Sequence, residues 1–199
     1  MAEERDKSRL RIRFHGRIID HLGIQMYQSP VAALAELVAN AWDADSPEVR
    51  ISLPSSLDHD AVLKVEDDGC GMTFEECEQR YLNVGYNRRI EDDEALTPGG
   101  RPLLGRKGIG KFAGFGIAER IKMTTVSGKT GEKTVFELNL HKLRSETYIA
   151  EGGEIAVEEY LPPDESRRSE HGTTIVLKNL TLGRRPSPDH EGKRRAGLP

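Results

Sequence analysis

Three short stretches of this chain carry side chains suited to holding a polar ligand. In the first, Glu36, Asn40 and Asp43 stand at i, i+4 and i+7, which an α-helix brings onto one face. Their neighbours Ala35, Leu37, Val38, Ala39, Ala41 and Trp42 are apolar. The helix is therefore expected to be largely buried, and buried polar groups are costly unless they have partners. A ligand is one such partner; a solvated stripe on an amphipathic helix is the plain alternative. In the second stretch, VEDDGCGM, Asp67 closes an apolar run just before Gly69 and Gly71. Such a turn lets a flat ligand approach the backbone while the carboxylate accepts its hydrogen bonds. An exocyclic amine suits Asp67, although Asp before Gly also makes ordinary turns. The third stretch, GRKGIGK, sets Gly105, Gly108 and Gly110 ahead of an expected helix, with Arg106, Lys107 and Lys111 adding charge. Backbone N–H groups and a positive helix end there suit phosphate oxygens. The spacing fits neither a P-loop nor a dinucleotide fingerprint.

The elements that must position these groups follow from local pattern. Residues 10–14 alternate apolar with Arg and read as an edge strand. Ser29 before Pro30 signals a helix start, with a helix over 31–44. Short β-type runs follow at 49–53 and 62–66, the second leading into the first glycine turn. Thr73 is placed to cap a helix over 74–81, with Glu75 and Glu76 in its first turn. Residues 83–104 show charges, Pro98, Gly99, Gly100 and Pro102 but no period, and read as a long mobile loop. The stretch 105–121 reads as a glycine loop passing into a helix, with strands near 122–126, 135–140, 155–158 and 174–178. The sum is an α+β sandwich.

At 199 residues the chain fits one domain of ordinary size. We expect a short N-terminal tail over 1–8, one domain over 9–182 and a flexible basic linker over 183–199, where Arg184, Arg185, Lys193, Arg194 and Arg195 gather. A net charge of −4 gives no electrostatic case for nucleic-acid binding. No apolar run approaches the roughly 18 residues of a membrane span, and the N-terminus lacks a signal-peptide stretch. The expectation is a cytoplasmic protein with no membrane partner. Cys70 and Cys77 are the two cysteines and read as reduced thiols.

The motifs ELVANAWDAD, DDGCGM, GRKGIGKFAGFG and HGTTIVL stand in the order of the N-box, two glycine boxes and late Gly-Thr motif of the GHKL ATPases. The chain resembles that superfamily over roughly residues 10–180, closest in style to MORC-like and chaperone-like members. The resemblance implies the Bergerat two-layer α/β sandwich, a mixed sheet covered by helices on one face, with a mobile ATP lid over 85–104. It implies ATP and Mg2+ as ligands. Glu36 is then the general base, Asn40 the metal ligand, and Asp43 a support for the phosphate end. Asp67 accepts from the adenine amine, Gly69 and Gly71 admit the base, Met72 touches it, and Thr173 assists Asp67 through water. Gly105, Arg106, Lys107, Gly108, Ile109, Gly110 and Lys111 line the phosphates. Many hydrolase members carry G-x-S-x-K before the lid; here Asn87 and Arg89 replace Ser and Lys, keeping hydrogen bonding and charge.

Among functions, the resemblance favours an ATPase domain whose nucleotide state closes the lid and promotes homodimerisation of a longer protein, with a protein or DNA client that the sequence does not name. A histidine-kinase catalytic domain is the alternative. Kinase members commonly carry Asn at the Glu36 position and Lys or Arg at that of Asp43, and neither His15 nor His21 lies in a phosphoacceptor context. A module that senses ATP without useful turnover is the third reading. Related hydrolases draw a catalytic lysine from a second domain, so the isolated chain is expected to turn over slowly or incompletely.

Overall fold

The computed structural model describes residues 7–14, 29–84, 95–105, 110–143, 145, 148 and 153–182. Its strands are β1 (Arg9–Arg11), β2 (Arg13–Phe14), β3 (Val49–Ser52), β4 (Leu63–Asp67), β5 (Asn83–Val84), β6 (Ala118–Val126), β7 (Lys133–Asn139), β8 (Glu154–Leu161) and β9 (Gly172–Leu180). Seven of them form one sheet in the order β1-β8-β7-β6-β9-β4-β3. Every neighbouring pair in it is antiparallel. The parallel pairing expected within a mixed sheet is confined to a separate two-residue ladder, β2 with β5. The run read as an edge strand is divided between the two: β1 lies at the sheet edge and β2 leaves it.

Strand alternation gives the sheet two unlike faces. Leu63, Leu177, Ile121 and Leu138 are register partners in one row, and Val65, Ile175, Met123 and Phe136 in the next. All eight are buried. Lys64, Lys122 and Glu137, between the two rows, point the other way, where Lys122 pairs with Glu158 (2.6 Å) and Glu137 with Lys178 (2.9 Å). Such surface pairs contribute little stability; they keep that face wet. Helical elements cover the apolar face, contributing Ala33 and Leu37, Phe74, Cys77 and Tyr81, and Phe112, Ala113 and Phe115 to a single core. The architecture is the expected α+β sandwich.

Helix α1 (Pro30–Asp43) starts where the Ser-Pro pair sets it, with proline in the first turn, but the Ser29 hydroxyl makes no capping bond. The helix is less buried than its composition suggests. Ala33, Leu37 and Ala41 face the core, while Val31, Val38 and Trp42 are exposed. Thr73 forms the expected cap as a full capping box, with Glu76 N–H on its hydroxyl at 3.2 Å and its own N–H on Glu76 Oε2 at 3.0 Å. The helix it starts, α2 (Phe74–Glu76), widens into a π-turn over Cys77–Tyr81, where Leu82 N–H reaches back to Cys77 O at 2.8 Å. Cys77 is buried, which pushes its thiol pKa up, and the two cysteines form no disulfide.

Two expectations are corrected. The segment after the second glycine loop is a 3-10 turn (Gly110–Gly116), with β6 starting at Ala118, rather than a longer helix. Gly110, Gly114 and Gly116 weaken any α-helix there. A Cβ at Gly114 would stand 2.7 Å from Leu177 Cδ2 and 2.9 Å from Ile121 Cδ1, so the turn lies directly on the sheet. Within the stretch read as a loop without apolar anchors, residues 95–105 are tied down. Thr97 and Leu103 are buried, and a bridge pairs Leu96 with Pro102. Residues 85–94, the first part of the expected lid, and the linker over 183–199 lie outside the described residues.

Candidate functional site

The third row of the sheet's core face is polar. Asp67 pairs with Thr173, Thr173 with Thr125, and Thr125 with Thr134, one step beyond the row Val65, Ile175, Met123 and Phe136. The apolar core therefore ends at this line. The Asp67 carboxylate accepts the Gly69 N–H at 3.0 Å and the Thr173 backbone N–H. Burial raises its pKa to about 6 against the pull of those two amides.

The neighbouring Asp68 has a different environment. It accepts the Ser46 hydroxyl at 2.6 Å and the Glu48 N–H at 3.0 Å, and those bonds hold its pKa below the ordinary carboxylate value. Strand alternation separates the pair: Asp67 belongs to the core face, and Asp68 ties the turn to the start of β3.

Backbone contacts fix the loop after Asp67. Gly71 has φ 58°, and a Cβ there would collide with the Val126 carbonyl, so a side chain is excluded on both counts. Cys70 N–H donates to Ala44 O at 2.8 Å, which fastens the loop to the end of α1. His171 Nδ1 lies 2.7 Å from Gly69 O; a carbonyl only accepts, so that nitrogen carries a proton. Met72 N–H donates to the Thr125 hydroxyl at 3.0 Å.

On α1, Glu36 lies against the second glycine segment, its Oε2 filling the space a Cβ on Gly110 would need. The Asn40 Nδ2 is buried with no hydrogen-bond partner among the described residues. Asp43 accepts the Leu104 N–H at 2.7 Å and the Gly105 N–H at 2.8 Å, so it reaches the second glycine segment through that segment's backbone. Asp45, in the left-handed region at φ 58°, accepts the Thr97 hydroxyl at 2.5 Å and the Gly99 N–H at 2.7 Å. Trp42 Nε1 donates to Pro102 O at 3.0 Å, and the Arg101 guanidinium lies over the Trp42 ring at 4.8 Å while donating to Ser46 O at 2.8 Å. The end of α1 is thus a clasp for residues 95–105.

Asp67, Gly69, Gly71, Met72 and Thr173 are gathered at the polar end of the sheet, and Glu36, Asn40, Asp43, Gly105 and Gly110 along α1 and the segment it holds. Asn87, Arg106, Lys107, Gly108 and Ile109 lie outside the described residues, as does the side chain of Lys111. Sequence pattern missed Thr125, Asp45 and Arg101. Thr125 was detectable only with the strand register in hand, and the other two carry no periodic signal.

Among the described residues no helix is long and apolar enough to cross a membrane. Residues 27–173 match the family described as histidine kinase-, DNA gyrase B- and HSP90-like ATPase. The chain is 34% identical over 165 residues to a candidate type II restriction enzyme, HgiDII, of Herpetosiphon aurantiacus, covering 81% of this chain and 24% of that protein. It is 30% identical over 131 residues to the chaperone protein HtpG of Gluconobacter oxydans (55% and 20%). Over 186 residues it is 27% identical to the DNA mismatch repair protein MutL of Sphingopyxis alaskensis (85% and 29%). The chain thus spans less than a third of the length of each of these relatives. On the match over residues 27–173, it belongs to the histidine kinase-, DNA gyrase B- and HSP90-like ATPase family.

Proposed function

We propose that this chain binds Mg-ATP between the polar end of the sheet and the face of α1 that carries Glu36, Asn40 and Asp43, and that Glu36 activates water for hydrolysis of the terminal phosphate. The observation that carries the proposal is Asn40. A half-buried carboxamide whose Nδ2 is buried and unpartnered among the described residues is costly on its own. A magnesium triphosphate would supply the missing partner, and Asn40 would help to hold it. The donor fits a hard cation: Asn40 offers a carboxamide oxygen, and Mg2+ ordinarily takes most of its remaining ligands from phosphate and water. Held beside Asn40, such a metal would supply neutralisation of charge on the phosphates.

The chain's own groups divide the remaining work. Asp67, with two backbone amides on its carboxylate, keeps lone pairs for an exocyclic amine and so orients the base. Gly71, where a positive φ and the Val126 carbonyl leave no room for a side chain, lets the loop pack against β6 beside the base. Glu36, against Gly110, stands at the phosphate segment, where a carboxylate takes the proton of an attacking water. Asp43 and Asp45 hold residues 97–105, the downstream anchor of a segment that closes over the nucleotide and favours dimerisation of a longer protein. The relative described as a restriction enzyme makes duplex DNA the first client to test against that longer protein's turnover.

The test compares equilibrium binding of ATP, with and without Mg2+, with phosphate release. Glu36→Ala is expected to bind Mg-ATP within about twofold of the parent and to lose about 10²- to 10⁴-fold in turnover of the longer protein. Parental turnover by that variant would remove Glu36 from the chemistry, and parental binding by Asp67→Asn would remove the base site.

A further inference from the structure

Nothing in the sequence pattern distinguishes Thr125, yet its hydroxyl sits where three segments of the base end meet. The side chain is fully buried. Its Oγ1 accepts the Met72 N–H at 3.0 Å and lies 3.3 Å from both Gly172 O and Thr173 Oγ1. A hydroxyl has one proton and two lone pairs. Gly172 O accepts only, so it takes the Thr125 proton. The lone pair of Thr125 not used by Met72 then takes the Thr173 proton. That arrangement satisfies all three bonding positions of Thr125; the reverse, with Thr125 donating to Thr173, leaves the contact to Gly172 O without a proton.

We propose that Thr125 is a positioning residue that sets base selectivity, by drawing the Thr173 proton away from the pocket and leaving Thr173 as an acceptor beside Asp67. The inference rests on the base site argued above. Ionised Asp67 offers only lone pairs, and Thr173, turned by Thr125, offers lone pairs as well. Two acceptors side by side match the amine of adenine and repel the carbonyl oxygen that hypoxanthine carries at the same place. Without the Thr125 hydroxyl, Thr173 is free to rotate and donate, and the site accommodates either group. Thr125 touches no ligand; it acts through Thr173 and through Met72.

The experiment measures Kd for ATP and for inosine triphosphate, both with Mg2+, on the 199-residue chain and three variants. The parent is expected to prefer ATP by about tenfold or more, the scale of one lost buried hydrogen bond. Thr125→Val, nearly isosteric, should weaken ATP about tenfold while inosine triphosphate holds or improves, bringing the ratio near one. Thr125→Ser should restore the parental ratio. A variant that merely loosens the fold weakens both nucleotides in parallel, so an unchanged ratio in Thr125→Val overturns the proposal. Should that variant fail to fold, Thr173→Val leaves Thr125 bonded to Met72 and Gly172, and a parental ratio there overturns it equally. A parent that does not distinguish the two nucleotides refutes the base site itself, and the role of Thr125 with it.

Discussion

Lowering the pH from 7.5 to 5 should weaken ATP binding through one residue, Asp67. Its carboxyl titrates near pH 6 because burial disfavours the charge more than two backbone amides favour it. The adenine amine needs an ionised acceptor. With a pKa of about 6 the group is roughly 97% ionised at pH 7.5 and about 9% at pH 5, so affinity drops about tenfold, or about 1.4 kcal/mol. The nucleotide's own phosphate protonates over the same range, so the reference is Asp67→Asn, whose residual binding carries only the ligand's titration. Calorimetry at half-unit steps of pH should give a steeper slope for the parent than for the variant, with the break near pH 6. Equal slopes would refute the burial argument. Stability without ligand runs in the opposite direction. A carboxyl whose folded pKa is raised stabilises the fold below its ordinary pKa near 4, and that contribution is lost as pH rises through about 6. Asp67→Asn should therefore be more stable than the parent at pH 7.5, by at most about 3 kcal/mol for a pKa raised from 3.8 to about 6, and match it at pH 4.

The remaining predictions concern α1 and its clasp. EDTA should reduce ATP affinity in the parent and change it little in Asn40→Ala, as read by calorimetry; equal losses in both would take the metal away from Asn40. Asp45→Asn keeps the left-handed backbone accessible but turns one acceptor into a donor facing either the Gly99 N–H or the Thr97 hydroxyl, at a cost of about 1 to 3 kcal/mol. Amide exchange at Gly99 and Arg101, the latter bonded to Thr97 Oγ1 at 3.0 Å, should quicken in that variant while exchange in β6 and β9 stays unchanged. Parental protection of those amides would mean that Asp45 does not hold the segment.

Elements written in local pattern were legible, and those decided by what covers what were not. The Ser-Pro pair and the breaker-free run fixed α1, and Thr73 with Glu76 fixed the capping box, because both depend on residues within a few positions. The composition of α1 suggested burial all round, yet Val31, Val38 and Trp42 are exposed, since only packing partners decide how much of a helix is covered. Residues 95–104 lack any period, so they fall within the stretch read as a long mobile loop. Their anchors are backbone amides received by Asp43 and Asp45, and hydrogen bonds from backbone to a distant side chain leave no trace in hydrophobic pattern. The 3-10 turn lost its helical reading to Gly114, whose closeness to Leu177 and Ile121 is a tertiary fact.

The site itself follows from alternation once the register is known. Read along each strand toward the polar end, β4 runs Leu63, Val65, Asp67; β9 runs Leu177, Ile175, Thr173; β6 runs Ile121, Met123, Thr125; and β7 runs Leu138, Phe136, Thr134. Each is two apolar residues followed by one polar residue at period 2. Separately, these are strand ends of a common kind. In register they form one line where a dry core stops and a row of oxygens begins, and a one-residue slip in any strand would turn its polar member to the opposite face. The choice between Asp67 and Asp68 depends on the same period. Val65 is buried, so Asp67, two residues on, shares its face and Asp68 does not, which is why burial raises the pKa of one carboxyl while hydrogen bonds lower that of the other.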